Sequence, residues 1–285
     1  MIVVTGATGL LGGAVVERLL ARRPAEEIGV SVRDPTKAAA LADRGVRVRR
    51  GDYDDAASLA HAFAGADQLL LVSAAATGET ALRQHRTAID AARRAGVRRV
   101  VYTSHMGANP ASAFAPMVDH AATEALLADS GLAFTALRNG FYAASGRMLL
   151  GRAVETLDVA APADGPVSWT AHADLAAAAA AVLADEGRFD GATPPLTARD
   201  AVDLEGVAGI LSELTGRTVR RVVADDDEWV SGLIGHGVPE AQATMLLGMF
   251  LASRRGEFAT TDPALEDLIG REPTQVRDVL EGVTQ

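Results

Sequence analysis

The stretch MIVVTGATGLLG, residues 1–12, joins a short apolar run to glycines at positions 6, 9 and 12. In this spacing the first glycine permits a tight turn, the second lets the backbone approach a pyrophosphate, and the third lets a helix pack closely on the strand. The N–H groups and the dipole at the start of that helix favour an anion. The stretch therefore predicts a dinucleotide-binding turn rather than a plain glycine-rich one. The expected cofactor contacts are Gly6, Thr8, Gly9, Leu10, Leu11 and Gly12.

Beyond this stretch, apolar runs alternate with helical patterns as far as residue 138. The runs predicted as strands are residues 2–4, 28–32, 46–49, 68–72, 99–103 and 134–138. The segments predicted as helices are residues 10–22, 36–44, 56–64, 80–95 and 119–130. Short strands that alternate with longer helices are typical of βαβ units and a parallel sheet. The predicted fold class is α/β, a Rossmann-type doubly wound parallel sheet with a smaller, mostly helical C-terminal lobe.

After residue 140 the alternation weakens, which suggests a second region. We predict a Rossmann domain over residues 1–145 and a mixed segment over residues 146–285. In that segment, residues 166–190 return to the Rossmann core through an alanine-rich helix, and residues 191–285 form a small substrate-binding lobe. The remaining predictions are helices at 174–184, 204–215, 226–235, 240–253 and 274–283, and loops at 160–165 and 193–195.

Composition excludes several classes of function. The formal charge is −10, from 27 Lys and Arg against 37 Asp and Glu, which argues against nucleic acid or an anionic membrane as the main partner. The chain has no cysteine, so disulfides, thiolate metal sites and cysteine nucleophiles are excluded. We expect no signal peptide, and the longest apolar run, around residues 175–184, is too short to span a bilayer. We expect a soluble, cytoplasmic protein, either a monomer or a homodimer.

Two basic residues after the second predicted strand indicate which nucleotide is bound. Arg33 lies 21 positions after Gly12, where an acidic residue would bind the ribose 2′-hydroxyl of NAD and an arginine accommodates a 2′-phosphate. Lys37 adds a second positive charge. The pair predicts NADP(H), although a solvated loop with Asp34 as counter-charge would also account for it.

Polar residues at the ends of later strands are further candidates for ligand contacts. Asp52 follows the third strand and is expected near the adenine, together with Tyr53. The alternative role for Asp52 is a helix N-cap, for which Asp54 is the better candidate. Ser73 and Ser104 end the fourth and fifth strands, where ligands bind in open α/β sheets, although either residue can simply cap a helix or form a turn.

The motifs listed next carry a resemblance that covers nearly the whole chain. They are GATGLLG (6–12), VRDPTK (32–37), GDY (51–53), QHR (84–86), VYTS (101–104), HAATE (120–124), LLADSG (126–131), LRNGFY (137–142) and LIGR (268–271) with Pro273-Thr274. On these motifs the chain resembles the NmrA-like atypical short-chain dehydrogenase/reductase family, and within it is similar to bacterial NADPH:quinone oxidoreductases and triphenylmethane reductases. The resemblance implies a Rossmann domain, NADPH, and hydride transfer to a small, often aromatic acceptor.

The chain departs from short-chain dehydrogenases at the usual catalytic pair. That pair is a tyrosine followed four residues later by a lysine, and the aligned positions here fall near Pro116 and His120. The same substitution resembles the quinone-reductase branch of the family. Hydride addition to a quinone gives a delocalised, weakly basic oxyanion, so a strong proton donor matters less than for an isolated ketone.

Three residues are the catalytic candidates, and each has a structural alternative. His120 can donate to the cofactor ribose or to a developing oxyanion, or be a structural histidine on a helix. Tyr142 can line the pocket or donate a proton, or lie at the edge of the core. Ser104 is the third candidate. Asn139 is a candidate cofactor contact, although its geometry better suits holding the turn before Gly140.

Three other residues are expected to be mainly structural. His85 is interpreted as a packed or capping residue, and Asp174 as the cap of the alanine-rich helix. Trp169 forms either an apolar ceiling over the site or plain core. No His and carboxylate cluster has metal-ligand spacing, and no Gly-x-Ser-x-Gly elbow is present.

The sequence therefore predicts an NADPH-dependent reductase of a quinone-like or conjugated aromatic molecule. Two alternatives remain open: an NADP(H)-sensing regulatory protein of the same fold, and a natural-product enzyme that uses the fold for another reaction.

Overall fold

The computed structural model describes residues 1–150 and 153–284. Its strands are β1 (Ile2–Thr5), β2 (Ile28–Val32), β3 (Arg47–Arg50), β4 (Gln68–Leu71), β5 (Arg99–His105), β6 (Ala133–Asn139), β7 (Phe141–Tyr142), β8 (Asp158–Pro162), β9 (Trp169–Thr170), β10 (Gly191–Ala192) and β11 (Arg220–Ala224). Its helices are α1 (Leu10–Leu20), α2 (Ala39–Ala42), α3 (Ala56–Phe63), α4 (Gly78–Arg94), α5 (Ala115–Asp129), α6 (Ala143–Leu150), α7 (Ala153–Thr156), α8 (His172–Ala184), α9 (Leu204–Thr215), α10 (Asp226–Gly235), α11 (Glu240–Arg254), α12 (Ala264–Ile269) and α13 (Val276–Thr284).

Seven strands form one parallel sheet in the order β3-β2-β1-β4-β5-β6-β10. This is the Rossmann order with one added edge strand, so the predicted fold class is confirmed. The strand order reverses between β1 and β4, which pair in register from Ile2 opposite Gln68. In such sheets ligands bind outside the carboxyl ends of the strands at this reversal. The sheet therefore points to the ends of β1 and β4 as the start of the site.

Helices cover both faces of the sheet, so the inner strands β1, β2, β4 and β5 are buried on both sides. On one face, α1 and α8 pack on each other and α12 packs on α8. On the other face, α3, α4 and α5 pack in sequence. The nine buried residues of α8 include five alanines, Ala176 to Ala180, and such small side chains let the helix approach α1 closely.

A third apolar cluster forms the lobe near the ends of β5 and β6. It combines β7 to β9 with α9 and α11, and it contains Phe141, Trp169 and Phe258. Trp169 is 4% exposed and meets Phe141 edge-to-face at 5.4 Å, so Trp169 is core rather than ceiling. The segment after residue 190 also supplies β10 to the main sheet and α12 to its helical layer. The division at residues 145 and 146 stays a prediction.

Several predicted elements differ from the structure. Residues 160–165 are predicted as a loop, but residues 158–162 form β8, which pairs with β11 away from the main sheet. Residues 36–44 form a 3₁₀ turn and the four-residue α2 instead of one helix. Helix α5 begins at Ala115, with Pro116 in its first turn. Backbone N–H groups in the first turn have no partner within the helix, so a proline there removes no helical hydrogen bond. His120 therefore lies inside α5 and not at its start. No helix within residues 1–150 and 153–284 has the length and apolar character to cross a bilayer.

Candidate functional site

The glycine turn leaves an open helix N-terminus at the end of β1. Gly6 has φ +62°, and its carbonyl accepts a hydrogen bond from Gly9 N–H at 2.9 Å. A Cβ on Gly12 would lie 2.4 Å from Gly6 O, so this position accommodates only glycine. Gly9 is the N-cap of α1 and brings no side-chain cap, which leaves the first N–H groups of the helix for an external acceptor. Thr8 and Leu10 are exposed beside them.

The basic pair after β2 is exposed and free to bind a ligand. Among residues 1–150 and 153–284, neither Arg33 nor Lys37 has an ion-pair or hydrogen-bond partner for its side chain. Asp34 accepts hydrogen bonds from the N–H and the hydroxyl of Thr36, at 3.0 and 2.7 Å. These bonds hold the pKa of Asp34 below its ordinary value. Asp34 is thus bound to Thr36 and not to Arg33.

Asp52 and Tyr53 lie where β3 ends, and both have structural bonds. Asp52 accepts from Asp54 N–H at 3.1 Å, while the N-cap of α3 is Asp55, so neither Asp52 nor Asp54 caps that helix. The Tyr53 hydroxyl lies 2.6 Å from Thr5 Oγ1 and 2.6 Å from the Val72 carbonyl. It therefore braces the ends of β1 and β4 against each other. The predicted contacts of Asp52 and Tyr53 with the cofactor stay predictions.

A cavity of about 160 Å³ opens directly after β4. Its wall combines residues 73–77 with side chains of α4 and α5 and with Tyr102 of β5. Ser73 lies in this wall, and its N–H donates to Thr103 Oγ1 at 2.8 Å. A Cβ on Gly6 would lie 3.2 Å from Val72 Cβ, so the glycine turn and the cavity are adjacent. Pro116 and His120 also line the cavity.

Ser104 has a structural partner, and its predicted catalytic and cofactor-binding roles stay predictions. It is 1% exposed, and its hydroxyl donates to Glu124 at 2.6 Å. Arg138 binds both oxygens of Glu124, at 3.1 and 2.7 Å. Ser104 thus belongs to a hydrogen-bonded ion pair that joins β5, β6 and α5. A hydroxyl in this position holds the sheet to the helix.

His120 combines burial with a specific partner. Its Nδ1 lies 2.8 Å from the Tyr102 hydroxyl, and its ring stacks on His105 with centroids 6.0 Å apart. Burial lowers the pKa of His120 to about 4 and the pKa of His105 well below its ordinary value. The two stacked rings are therefore neutral near pH 7. His120 can offer a neutral N–H to a ligand, but not a positive charge.

Asn139 and Tyr142 meet where β6 ends. Asn139 is 1% exposed, and its Oδ1 has no hydrogen-bond partner within the described parts of the chain. Its amide nitrogen donates to the Tyr142 hydroxyl at 3.5 Å, and Tyr142 packs against His172 with ring centroids 4.5 Å apart. A buried acceptor without a partner is costly, so Oδ1 fits a donor from a ligand. A Cβ on Gly140 would lie 2.1 Å from Thr170 Oγ1, which explains the glycine beside Asn139.

Two residues interpreted as structural have bonds that the sequence did not indicate. His85 is 2% exposed; its Nε2 accepts from Ala74 N–H and its Nδ1 lies 2.8 Å from Thr123 Oγ1, which confirms a packed residue. Asp174 is not the cap of α8. It is fully buried and binds Arg271 and the N–H of Thr274, at 2.6 Å for the latter. The partners are about one hundred residues apart, so no local pattern could reveal them.

The donors and acceptors at this edge suit a nicotinamide dinucleotide. The start of α1 supplies N–H groups for a pyrophosphate, Arg33 and Lys37 supply positive charge, and Asn139 Oδ1 awaits an amide-type donor. Among the described residues, no group of three or more His, Asp or Glu side chains can hold a metal ion.

Comparisons with known proteins agree with this geometry. Residues 6–186 match the family model described as NAD(P)H-binding. The chain is 36% identical to quinone oxidoreductase 2 of Escherichia coli over 98% of this chain and 96% of that protein. It is 31% identical to the NmrA-like family domain-containing oxidoreductase flvB of Aspergillus flavus, over 97% and 92%. The solved structure of Citrobacter sp. triphenylmethane reductase with NADP(H) superposes with a TM-score of 0.91 at 35% identity, over the full length of both chains.

Proposed function

Because the chain belongs to the NAD(P)H-binding family of NmrA-like oxidoreductases, we propose that it transfers hydride from NADPH to a quinone-like or conjugated aromatic molecule. The observation that carries the proposal is the open N-terminus of α1 beside the unpaired Arg33 and Lys37. The named activities of the relatives, on quinones and triphenylmethane dyes, support an aromatic acceptor.

The preference for NADPH rests on the side chains after β2. Arg33 can bind a 2′-phosphate through two parallel N–H groups, and Lys37 adds a point charge. Asp34, the only acidic residue between them, binds Thr36 through Oδ1 and forms no ion pair with Arg33. We assign the pyrophosphate to the N–H groups at the start of α1.

The aromatic acceptor is supported by the residues at the ends of β5 and β6. The rings of Tyr142 and His172 lie 4.5 Å apart at an angle of 41° and are only partly buried, so either ring can contact a conjugated acceptor. The charged lysine of the usual catalytic pair is replaced by the neutral His120. A neutral donor suits an acceptor that spreads its own negative charge over a conjugated ring.

In this proposal NADPH supplies a hydride, which adds to the acceptor, and a solvent proton completes the reduced product. The protein orients the two reactants and excludes water around them. His120 and Tyr142 donate hydrogen bonds to the acceptor oxygen as charge develops on it. Asn139 holds the turn that places Tyr142 and offers Oδ1 to the cofactor.

The direct test is NADPH oxidation against 1,4-benzoquinone, 1,4-naphthoquinone and cyclohexanone, with NADH as the control nucleotide and enzyme-free reactions as blanks. We expect turnover of both quinones, little of the ketone, and a kcat/KM for NADPH at least about tenfold above that for NADH. NADPH deuterated at C4 in either diastereomeric position tests whether the hydride passes directly from the nicotinamide to the acceptor. In direct transfer, only one of the two diastereomers should give a primary isotope effect.

Three results would contradict the proposal in different ways. Efficient reduction of cyclohexanone with quinones ignored would overturn the acceptor. Equal use of NADH would overturn the role of Arg33. Tight NADPH binding without turnover of any acceptor would favour a protein that senses the nucleotide.

A further inference from the structure

We propose that Tyr102 is a positioning residue that fixes His120 in its Nε2–H form, so that His120 presents a neutral N–H donor to the cavity after β4. The inference deepens the proposed function and rests on it, because the donor is assigned to the oxygen of the acceptor. The usual catalytic tyrosine, whose aligned position falls near Pro116 on α5, is missing from this chain. The chain instead has the phenol of Tyr102 on β5, behind the imidazole of His120.

The first step concerns the proton of Tyr102. The side chain is fully buried on β5, with the rings of His85 and His120 on either side at 5.5 and 5.8 Å. His120 Nδ1 lies 2.8 Å from the phenol oxygen. If Nδ1 carried the proton, the Tyr102 O–H would need another acceptor, and a buried donor without one costs about 1–3 kcal/mol. Donation from Tyr102 to Nδ1 avoids that cost.

The other nearby hydroxyl, Thr123, already has its bonds assigned. Ala74 N–H donates to His85 Nε2 at 2.8 Å, so His85 carries its proton on Nδ1 and donates it to Thr123 Oγ1. Thr123 in turn donates its own proton to the Asp119 carbonyl at 2.8 Å. Thr123 Oγ1 therefore has no proton to donate to Tyr102, and it already accepts the proton of His85. The phenol lies 2.8 Å from His120 Nδ1, which we take as the acceptor of its proton.

The surroundings keep His120 neutral in this form. The titratable groups against it are Tyr102 and His105 on β5 and His85 on α4, with Asp119 adjacent on α5. Burial lowers the pKa of His120 to about 4, and a charge on His120 would oppose protonation of His85 and His105. Burial also raises the pKa of Tyr102, so the phenol retains its proton. His120 then keeps Nε2–H throughout, and solvent supplies the proton of the product.

The test measures the tautomer of His120 by NMR and the turnover of 1,4-benzoquinone in a separate assay. Nitrogen-15 NMR of the histidine rings, with His120→Gln to assign the signal, should show Nε2 protonated in the parent protein. In Tyr102→Phe, a signal from protonated Nδ1 should appear. With 1,4-benzoquinone, Tyr102→Phe should lower kcat about threefold to tenfold, with the Kd for NADPH unchanged. His61→Gln, on the exposed end of α3, is the control for a histidine replaced elsewhere.

Two amide substitutions distinguish the ring nitrogens. The amide nitrogen of glutamine reaches the place of Nε2, whereas that of asparagine reaches only the place of Nδ1. We expect His120→Gln to retain more activity than His120→Asn. A parent His120 protonated on Nδ1, an unchanged tautomer in Tyr102→Phe, or an asparagine variant at least as active as the glutamine variant would each overturn the inference. Absence of quinone turnover in the parent would overturn the proposed function, while the NMR result would still decide the tautomer.

Discussion

Arg33 follows β2 with no partner in the described chain, while the adjacent Asp34 is bound to Thr36. An arginine without a counter-ion keeps its full hydrogen-bonding capacity for a phosphate. Arg33→Ala should weaken NADPH binding by about 1.5–3 kcal/mol, the range for a hydrogen bond to a charged group. NADH lacks the 2′-phosphate, so its Kd should stay within about twofold. Titration calorimetry with both nucleotides measures the difference.

Arg18, exposed in the last turn of α1, provides the matched control for Arg33, because Arg18→Ala removes the same charge at the opposite end of α1 from the glycine turn. A parallel loss of NADPH and NADH affinity in Arg33→Ala would mean that Arg33 supports the fold of the turn and does not read the phosphate.

The buried ring of His85 makes the free energy of unfolding depend on pH. Burial lowers its pKa from 6.5 to about 4, so between these values the unfolded chain binds a proton that the folded chain does not. This contribution is therefore complete above pH 6.5 and declines as pH falls toward 4. At pH 5 the loss is about 2 kcal/mol by linkage. Urea unfolding at pH 7.5 and pH 5 should show a smaller pH effect in His85→Gln than in the parent; an equal effect would contradict the buried neutral ring.

Residue roles were predictable from the sequence where they depend on local spacing. Gly6, Gly9 and Gly12 and the basic residue at 33 follow from a fixed distance along one βαβ unit. The bond between Tyr102 and His120 joins a strand to a helix, and Ser104 meets Glu124 across the same gap. Sequence spacing places Tyr102 and Ser104 on one face of β5 but does not determine which side chains that face meets, so the sequence predicts a catalytic role for Ser104 and none for Tyr102.

At the scale of elements, the turn between β1 and α1 separates binding from folding. Gly9 has φ −92° and ψ 171°, which any residue adopts, and a Cβ there would lie 3.3 Å from Gly6 O. This contact is tight but does not overlap, so Gly9→Ala should lower the melting temperature much less than Gly12→Ala does. It should weaken NADPH at least about tenfold, because its methyl group stands among the N–H donors. Gly12→Ala should lower both the melting temperature and the affinity for NADPH, because its Cβ would overlap Gly6 O at 2.4 Å.

Calorimetric melting and nucleotide titration of the two glycine variants check this separation. Undiminished NADPH binding by Gly9→Ala would place the pyrophosphate elsewhere. A Gly12→Ala protein as stable as the parent would contradict the close packing of α1 on the turn.

The elements of the Rossmann half were predictable because each long apolar run is buried by its neighbours in sequence. Strand β2 was predicted with its observed bounds, and β5 only two residues short. Strand β10 has two residues, and its pairing with β6 depends on the helix before it, so no periodicity marks it. Strand β8 pairs with β11, about sixty residues later, and its short sequence DVAAP ends in a proline and is followed by Gly165 and Pro166, residues typical of a loop.

At the scale of the whole molecule, Asp174 fastens the C-terminal segment to the Rossmann core. Its buried carboxylate binds Arg271 and Thr274 N–H, whereas the pair between Glu17 of α1 and Arg44 after α2 is exposed. Asp174→Asn should lower the free energy of unfolding by about 2 kcal/mol, from a weakened hydrogen-bonded charge pair. The control Glu17→Gln should cost less than about 1 kcal/mol.

Urea unfolding measures both variants, and hydrogen exchange should show earlier exchange of residues 271–284 in Asp174→Asn alone. Equal costs for the two variants would mean that burial of Asp174 adds nothing to the attachment of this segment.

The packing of α8 on α1 also bears on how the protein is made. A ribosome releases the chain from its N-terminus, and by residue 145 the first six strands of the main sheet exist. Val15 and Leu19 of α1 still lack their cover, because Leu175 and Ala179 have yet to be translated. The nascent protein thus exposes the apolar face of α1 for at least the time needed to add about forty residues. At 5–20 residues per second this time is roughly 2–8 s. A chaperone that shields apolar surface during synthesis would find its target in this interval, before α8 closes the layer.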